Sequence, residues 1–370
     1  MAIPEKCNQH VKVLHRPGVV RINLQHYRKF QCSAQILEGA TPRLFVFGLG
    51  YTGRRIAKLC NEKGWEVAGT CRSLEGSHKF LQYDGIHAFP YDPGALTPLS
   101  TQALHTLQRS THILSSVPPT EGNASDPILA GVGPELKSCS SITGLARWVG
   151  YLSSTGVYGD WQGEWVDERS ELRASKGKGH ARVLAEAAWR QMWEEHRVPV
   201  HIFRLGGIYG PGRSAIDAAA LQPGQASGSQ RRRAMQRCTS RCHVYDICQT
   251  LMASMERPRP GAVYNVVDDD PASRAEVMAY AKQLLQGKRA RARSPLTEPL
   301  TKSEPSSADE RKAEFATSRA GEGAKRPQLE EKRVRNDLIK EELGVKLEFP
   351  TYKEGLAAIQ SGDKRPLEFF

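Results

Sequence analysis

The chain is 370 residues long, 39% of them hydrophobic, and its formal net charge is +12 at pH 7. This length and apolar content exclude a wholly disordered chain and leave room for one large α/β domain with a smaller appendage. No run approaches the roughly 20 apolar residues that cross a bilayer, so we expect no membrane partner. The eight cysteines are scattered without the tight spacing of a zinc site. We therefore expect reduced thiols and no metal.

The first 41 residues differ in charge from the rest of the chain. Their basic residues greatly outnumber their two acids, Glu5 and Glu38. This bias is typical of an organelle transit peptide. A disordered basic tail is the alternative interpretation, and both place the start of the folded part at about residue 42.

From residue 43 the sequence alternates between strand and helix patterns. The predicted strands are 43–48, 65–73, 85–92, 111–119, 148–154, 198–207 and a late one at 261–267. Helices are predicted at 51–64 and, after Gly179, between the fifth and sixth strands. This alternation predicts an α/β fold with a doubly wound, parallel sheet.

Two tracts interrupt this rhythm. Residues 218–241 carry five arginines and no acid, and residues 288–327 are rich in Ser, Pro, Ala and charge. The second tract is predicted to be a disordered insertion, because it has too little apolar surface to bury. We expect residues 42–205 with 243–267 to form the dinucleotide-binding domain. Residues 206–242 with 268–370 are then a smaller, α-rich C-terminal substrate cap.

The stretch "LFVFGLGYTGRRIA" places Gly48, Gly50 and Gly53 in a G-x-G-x-x-G pattern between a strand and a helix. The first glycine permits the tight turn, the second lets backbone approach a pyrophosphate, and the third lets the helix pack on the strand. Unpaired N–H groups at the helix N-terminus, where Tyr51 and Thr52 lie, favour phosphate. The pattern in this context predicts a dinucleotide site.

The end of the second strand indicates which dinucleotide binds. An NAD site has an acid here to hold the ribose hydroxyls. This chain has Thr70, Cys71, Arg72 and Ser73 instead. The planar guanidinium of Arg72 suits a 2′-phosphate. The predicted cofactor is therefore NADP, with Arg72 and Ser73 among its contacts.

Several motifs together resemble the extended branch of the short-chain dehydrogenase/reductase superfamily, the NAD-dependent epimerases and dehydratases. They are "GLGYTG", Asp92, "SSVPP", "YLSSTGVYGD", "FRLGGIYGPGR" and "YNVVDDDP", followed beyond the insertion by "EKRVRNDLIKEELG". The chain is most similar to atypical members from bacteria and plant plastids. The resemblance implies a Rossmann domain that binds NADP, with the doubly wound parallel sheet predicted above. It also implies a plastid stromal protein, or otherwise a cytoplasmic one, with a small-molecule substrate and a monomeric or homodimeric state.

The resemblance also implies roles for individual residues. Asp92 would lie near the adenine, Ser116, Val117 and Pro118 along the cofactor, and Ser154 at the active-site hydroxyl position. The residues expected to face the substrate cleft are Arg204, Tyr209 and Arg213. His243 is expected either to face the cleft or to cap a helix or fill the core.

The catalytic dyad of the family, a tyrosine and a lysine, is missing. Counting back from Glu186, the tyrosine position holds Lys178 and the lysine position holds Arg182. Since arginine does not titrate usefully, this is not a standard dehydrogenase. Tyr158 is a candidate substitute acid, although "VYG" is also a structural turn in this superfamily. Lys178 is another candidate if it is desolvated beside Arg182, and an exposed lysine if it is not.

Three classes of function stay open. The first is an NADP-dependent oxidoreductase or epimerase-like enzyme on a small carbonyl or sugar-like substrate. The second is a non-catalytic dinucleotide-binding sensor or scaffold. The third is an RNA-binding relative that uses the basic runs 231–233 and 288–293. Those runs contain no aromatic residue on which bases could stack, so this class ranks last.

Overall fold

The computed structural model describes residues 41–95, 98–121, 126–141, 144–220, 236–293 and 330–366. The strands of its main sheet are β1 Arg43–Phe47, β2 Glu66–Cys71, β3 His87–Pro90, β4 His112–Ser115, β5 Trp148–Ser154, β7 Val200–Leu205 and β10 Val263–Val266. They correspond to the seven predicted strands, and the α/β prediction is confirmed.

The seven strands form one parallel sheet in the order β10-β7-β5-β4-β1-β2-β3. Because the order reverses between β1 and β4, the segments that follow these two strands run to opposite faces of the sheet and leave a crevice there. In open α/β sheets this switch point is where ligands bind.

The central strands are buried on both faces, which explains their continuous apolar runs. Every residue of β4 and β7 is buried, as are the first six residues of β5. Helices cover both sides of such a sheet, so both sets of alternating side chains are removed from water. Two apolar clusters result, one on each side of the sheet.

The helices lie between the strands and beyond them. They are α1 Tyr51–Glu62, α2 Leu74–Asp84, α3 Thr101–Gln108, α4 Pro127–Cys139, α5 Gly177–His196, α6 Ala215–Ala220, α7 Val244–Glu256, α8 Arg274–Arg293, α9 Asp337–Leu343 and α10 Tyr352–Ser361. In α1 the predicted face of Ile56, Leu59 and Cys60 is buried. Helix α5 begins two residues before the predicted Gly179.

Two small parallel sheets lie outside the main sheet. One pairs β8 Gly207–Tyr209 with β9 Arg241–His243, and the other pairs β6 Trp165–Val166 with β11 Arg333–Val334. The first follows directly from the carboxyl end of β7. The second brings residues from beyond the predicted insertion back to the loop that follows β5.

The predicted domain division differs from the packing at two places. Strand β9 crosses the predicted boundary between residues 242 and 243. Ile339, Leu343 and Val345, predicted to be in the cap, belong to the apolar cluster that includes Leu44 and Phe203 of the main sheet. The apolar face of α9 explains this, because it covers α7 and β10.

The predicted insertion at 288–327 also begins earlier than the structure allows. Helix α8 continues to Arg293, through Lys288, Ala290 and Ala292, which are good helix formers. Residues 294–327 lie outside the described residues. The predicted transit peptide or tail at 1–41 lies outside them too, except for Thr41.

Candidate dinucleotide and substrate site

The glycine-rich turn after β1 has the geometry that its sequence predicts. Gly48 adopts a left-handed conformation with φ of +84°, and its N–H donates to Thr70 Oγ1 at 3.0 Å. A Cβ on Gly53 would lie 2.2 Å from the Gly48 carbonyl oxygen. A Cβ on Gly50 would meet no atom within 4 Å. The turn is therefore packed at its first and third glycines and open at the second, where a pyrophosphate would pass.

The N-terminus of α1 faces this opening. Gly50 is its N-cap, no side chain caps the helix, and its first turn holds no acid. Thr52 is buried, while Tyr51 turns its hydroxyl away to the Pro211 carbonyl at 3.1 Å. Arg55 lies against the Tyr51 ring at 3.5 Å and makes the turn more positive. An uncapped helix end of this kind suits an anionic group.

The segment after β4 packs on the same turn. Ser116 Oγ donates to the Gly48 carbonyl at 2.5 Å. Val117 lies so near that a Cβ on Gly48 would approach its Cγ2 to 3.0 Å. Pro118 is exposed next to them. The predicted cofactor segment 116–118 thus lies beside the glycine turn.

The end of β2 carries the predicted selectivity residues. Arg72 is exposed, and no hydrogen bond or ion pair holds its guanidinium to any other described residue. The Ser73 side chain caps α2 by accepting from the Gly76 N–H at 3.1 Å. Asp92, after β3, is exposed and accepts from the Gly94 N–H at 3.0 Å. The uncapped helix end, the open Gly50 and a free guanidinium together fit a phosphorylated dinucleotide.

A cavity of about 820 Å³ lies beyond the carboxyl ends of β5 and β7. Its lining is strongly cationic, with two carboxylates, Asp217 and Glu330, against six basic side chains. The basic side chains are Lys178, Arg182, Arg213, Arg241, Arg274 and Lys332. Such an imbalance attracts an anionic ligand.

Ser154 lines this cavity, at the end of β5. Its Oγ accepts from the Gly156 N–H at 3.1 Å, which caps the short 3₁₀ turn Thr155–Tyr158. Because the hydroxyl accepts in this bond, its own proton remains available to a substrate oxygen. The structure therefore places the predicted hydroxyl on the lining of this cavity.

The two residues at the dyad positions line the cavity as well. The Lys178 side chain is 87% exposed, and its Nζ lies 4.0 Å from Glu121 Oε1. Arg182 Nη1 donates to the Leu152 carbonyl at 3.2 Å. Ser154, Lys178 and Arg182 are thus brought together. Lys178 is on the exposed side, as in the simpler of the two predicted interpretations.

The interpretation of Tyr158 as a substitute acid is wrong. Its side chain is fully buried, and its hydroxyl donates to Asn265 Oδ1 at 2.8 Å and accepts from Arg204 Nη1 at 2.9 Å. Burial raises the pKa of Tyr158 to about 12, and the Arg204 charge offsets this only in part. The phenol has no access to the cavity and serves a structural role.

The expectation that Arg204 faces the substrate is also wrong. The Arg204 side chain is 1% exposed, and its guanidinium pairs with the Glu186 carboxylate at 2.8 Å. Ser153 Oγ donates to the same carboxylate at 2.6 Å. The charge of Arg204 is therefore neutralised inside the protein, between β7 and α5.

His243 fills the core, which was one of its two predicted roles. It is 1% exposed and its Nδ1 accepts from the Tyr245 N–H at 3.2 Å. Its ring packs against those of Tyr209 and Phe349, and burial lowers the pKa of His243 to about 3. Tyr209 and Arg213 do line the cavity, as predicted. The Tyr209 hydroxyl, however, donates a hydrogen bond to the Thr351 carbonyl.

Sequence reasoning missed three cavity cations. Arg241 comes from β9 and Arg274 from the start of α8, while Lys332 directly precedes β11. Lys332 follows the tract that has no periodic pattern, so only its position within "EKRVRNDLIKEELG" could have drawn attention to it. Pairing of β11 with β6 is what carries it to the cavity.

Two further findings apply to the part of the chain that the structure describes. No three or more His, Cys, Asp and Glu side chains are placed to hold a metal ion there. Within those same ranges, no helix is both long and apolar enough to span a membrane.

The fold is of the Rossmann type and carries a candidate dinucleotide site, and comparisons with known proteins identify its relatives. No protein-family model matches the chain. A solved structure of a functionally unknown conserved protein from Silicibacter pomeroyi DSS is 36% identical, covering 88% of this chain and 100% of that one, with a TM-score of 0.64. Protein YeeZ of Escherichia coli K12 is 24% identical over 227 residues, which are 60% of this chain and 77% of that protein.

More distant in sequence is the dTDP-glucose 4,6-dehydratase of Bacillus anthracis, solved in complex with NAD. It is 13% identical, with a TM-score of 0.60 over 87% of this chain and 96% of that one, and so shares the fold. The chain belongs to the same family as the Silicibacter protein. It shares its fold with solved proteins of the NAD-dependent epimerase/dehydratase type.

Proposed function

We propose that the protein is an NADP(H)-dependent oxidoreductase or epimerase-type enzyme that acts on a small anionic, carbonyl-containing or sugar-like substrate. One observation carries the proposal: an open phosphate cradle at Gly50 and a cationic cavity at Ser154 lie at the same edge of one parallel sheet.

The cofactor half of the proposal rests on the cradle and on Arg72. The N-terminus of α1 and the turn at Gly48 and Gly50 would hold the pyrophosphate, with Ser116 and Val117 beside it. Arg72 would pair with a 2′-phosphate, because no described residue binds its guanidinium and no carboxylate occupies the end of β2. A bound nicotinamide would supply or accept a hydride.

The substrate half rests on charge and on one hydroxyl. Six cations against two carboxylates favour a substrate that carries phosphate or carboxylate groups. Ser154 would donate a hydrogen bond to the substrate oxygen. Arg182, which is always charged, would stabilise negative charge there but would not transfer a proton.

Titration of the purified protein with NADPH and NADH tests the cofactor. The wild type is expected to bind NADPH more tightly. Arg72→Ala should lower NADPH affinity by roughly 10–100-fold, the size of a lost charge-assisted contact, and leave NADH affinity unchanged. Arg190→Ala, at an exposed arginine of α5, is the matched control. Equal affinity for both dinucleotides in the wild type would contradict the assignment.

A turnover screen tests catalysis. The NADPH-saturated protein is offered aldehydes, ketones and nucleotide sugars, and Ser154→Ala is expected to lower kcat by one or more orders of magnitude, as for a lost acid–base contact. Ser138→Ala, on the exposed side of α4, is the control. Tight NADPH binding without turnover on any substrate would favour the second function, a dinucleotide-binding sensor or scaffold. That alternative draws support from Lys178 and Arg182 at the dyad positions.

A further inference from the structure

The cavity needs a proton-transferring group that the usual dyad does not supply. Arg182 does not titrate usefully, and Tyr158 is sealed in the core. The phenol of Tyr209 already donates to the Thr351 carbonyl, and burial raises its pKa. Burial also raises the pKa of Tyr352, the other tyrosine of the lining. None of these groups gives up a proton readily near neutral pH.

Lys332 differs from the other basic residues of the lining. Its side chain is only 11% exposed, and its Nζ donates to the Gly159 carbonyl at 2.8 Å. The Glu330 carboxylate, at 3.8 Å, is too far for a hydrogen bond. An ammonium group has three N–H donors. The described residues thus engage one of them, although the side chain lines the cavity.

The same turn positions Lys332 and Ser154. Ser154 Oγ accepts from the Gly156 N–H, and the Gly156 carbonyl accepts from the Gly159 N–H at 3.2 Å. The Gly159 carbonyl in turn holds Lys332. A chain of three hydrogen bonds therefore links the amine to the hydroxyl, and both residues line the cavity.

Several charges act on this amine. Burial lowers the pKa of Lys332, while the carboxylates of Glu330 and Asp160 raise it less strongly. Lys178, Arg182, Arg213, Arg241 and Arg274 share the cavity and disfavour a further positive charge, and Asp217 opposes them. Burial therefore makes the neutral amine easier to reach than it is for an exposed lysine, which suits acid–base work.

We propose that Lys332 is the catalytic residue that transfers the proton to and from the substrate oxygen, in place of the missing tyrosine. This rests on the proposed function. In the reducing direction the substrate carbon gains a hydride from the cofactor. As the C=O bond becomes a C–O single bond, an N–H bond of the Lys332 ammonium breaks and an O–H bond forms. The neutral amine then regains a proton from water, and the oxidising direction reverses each step.

Kinetics of full-length variants test the proposal. Lys332→Met removes the proton, and Lys332→Arg keeps a donor for Gly159 but does not titrate. Both are expected to lower kcat by about 10²–10⁴-fold, while NADPH affinity stays within twofold of the wild type. Lys346→Met, at an exposed lysine, is the control and should match the wild type. If Lys332→Met does not fold, Lys332→Gln replaces it.

A measurement independent of activity complements the kinetics. Lysines of the wild type are reductively methylated with ¹³C-formaldehyde, and their methyl resonances are followed against pH. The resonance that is missing in Lys332→Arg should titrate at lower pH than that of Lys346. Added methylamine should also restore part of the kcat of Lys332→Ala.

Three results would overturn the assignment. The first is a kcat of Lys332→Arg equal to that of the wild type. The second is a Lys332 methyl resonance that titrates at the same pH as that of Lys346. The third is a dependence of kcat on pH that is the same in the variants as in the wild type. In each case wild-type turnover would leave the proposed function standing. Absence of wild-type turnover with NADPH bound would overturn both proposals.

Discussion

The guanidinium of Arg204 and the carboxylate of Glu186 form an ion pair at 2.8 Å in which each side chain is 1% exposed. The pair joins β7 to α5, and the Tyr158 phenol and the Ser153 hydroxyl complete its hydrogen bonds. Charges taken so far from water are tolerated only when they are paired and fully bonded. This relationship leads to the first prediction.

Glu186→Gln should lower the free energy of unfolding by about 3–5 kcal/mol, because it leaves the Arg204 charge buried without a counter-ion. Urea denaturation measures the change. Glu75→Gln removes one partner of the exposed pair between Glu75 and Lys79 and is the control, for which little change is expected. If Glu186→Gln lowers the free energy of unfolding no more than Glu75→Gln does, the ion pair between Arg204 and Glu186 does not stabilise the fold.

Tyr158→Phe distinguishes a structural tyrosine from a catalytic one. The variant loses the bonds to Asn265 and Arg204, so stability should fall by about 1–3 kcal/mol. Turnover per folded molecule should not change, because the phenol does not reach the cavity. Thermal melting and kcat well below the melting temperature are the two measurements, with the exposed Tyr83→Phe as control. A fall in kcat of tenfold or more would restore the catalytic interpretation.

Two glycines of one turn should respond oppositely to alanine. Gly53→Ala would bring a Cβ to 2.2 Å from the Gly48 carbonyl, so the turn must distort and stability should fall by about 1–3 kcal/mol. Gly50→Ala meets no protein atom within 4 Å and should leave stability within about 0.5 kcal/mol. It should nevertheless weaken NADPH binding, since the added methyl group lies where backbone approaches the pyrophosphate. Melting curves with and without NADPH test both, and unimpaired binding by Gly50→Ala would contradict the cradle.

Stability should fall in mild acid because of buried neutral histidines. Burial lowers the pKa of His112 and of His201 to about 3, from 6.5 when unfolded. Between these values the unfolded chain binds protons that the folded chain excludes, so the unfolding free energy decreases as pH falls through that window. Each histidine contributes a slope of up to about 1.4 kcal/mol per pH unit.

The variant His201→Gln tests this slope. Its amide oxygen replaces the acceptor that His201 Nε2 offers to the Arg259 N–H at 2.9 Å. The dependence of stability on pH between about 6 and 4 should become shallower, as measured by urea unfolding at several pH values. His78→Gln, at an exposed histidine, is the control. If the slope of stability against pH is the same in His201→Gln as in the wild type, His201 is not a source of the loss of stability in acid.

The sequence by itself determined the elements and the cofactor turn. Local chemistry explains why: Gly48 and Gly53 are required by the turn itself, and runs such as "WVGYLSS" are apolar because both faces of a central strand are buried. The same holds for Ser154, whose position follows from the end of β5.

Only the tertiary structure decided which polar side chains reach the cavity. Arg204 and Tyr158 look like site residues in the sequence, yet each is held in the core by a partner on another element, Glu186 for Arg204 and Asn265 for Tyr158. Lys332 has no local pattern and reaches the cavity because β11 pairs with β6, more than 160 residues earlier. Periodicity reports which face of an element is apolar, whereas the placement of a charge depends on contacts between distant segments, which no local pattern encodes.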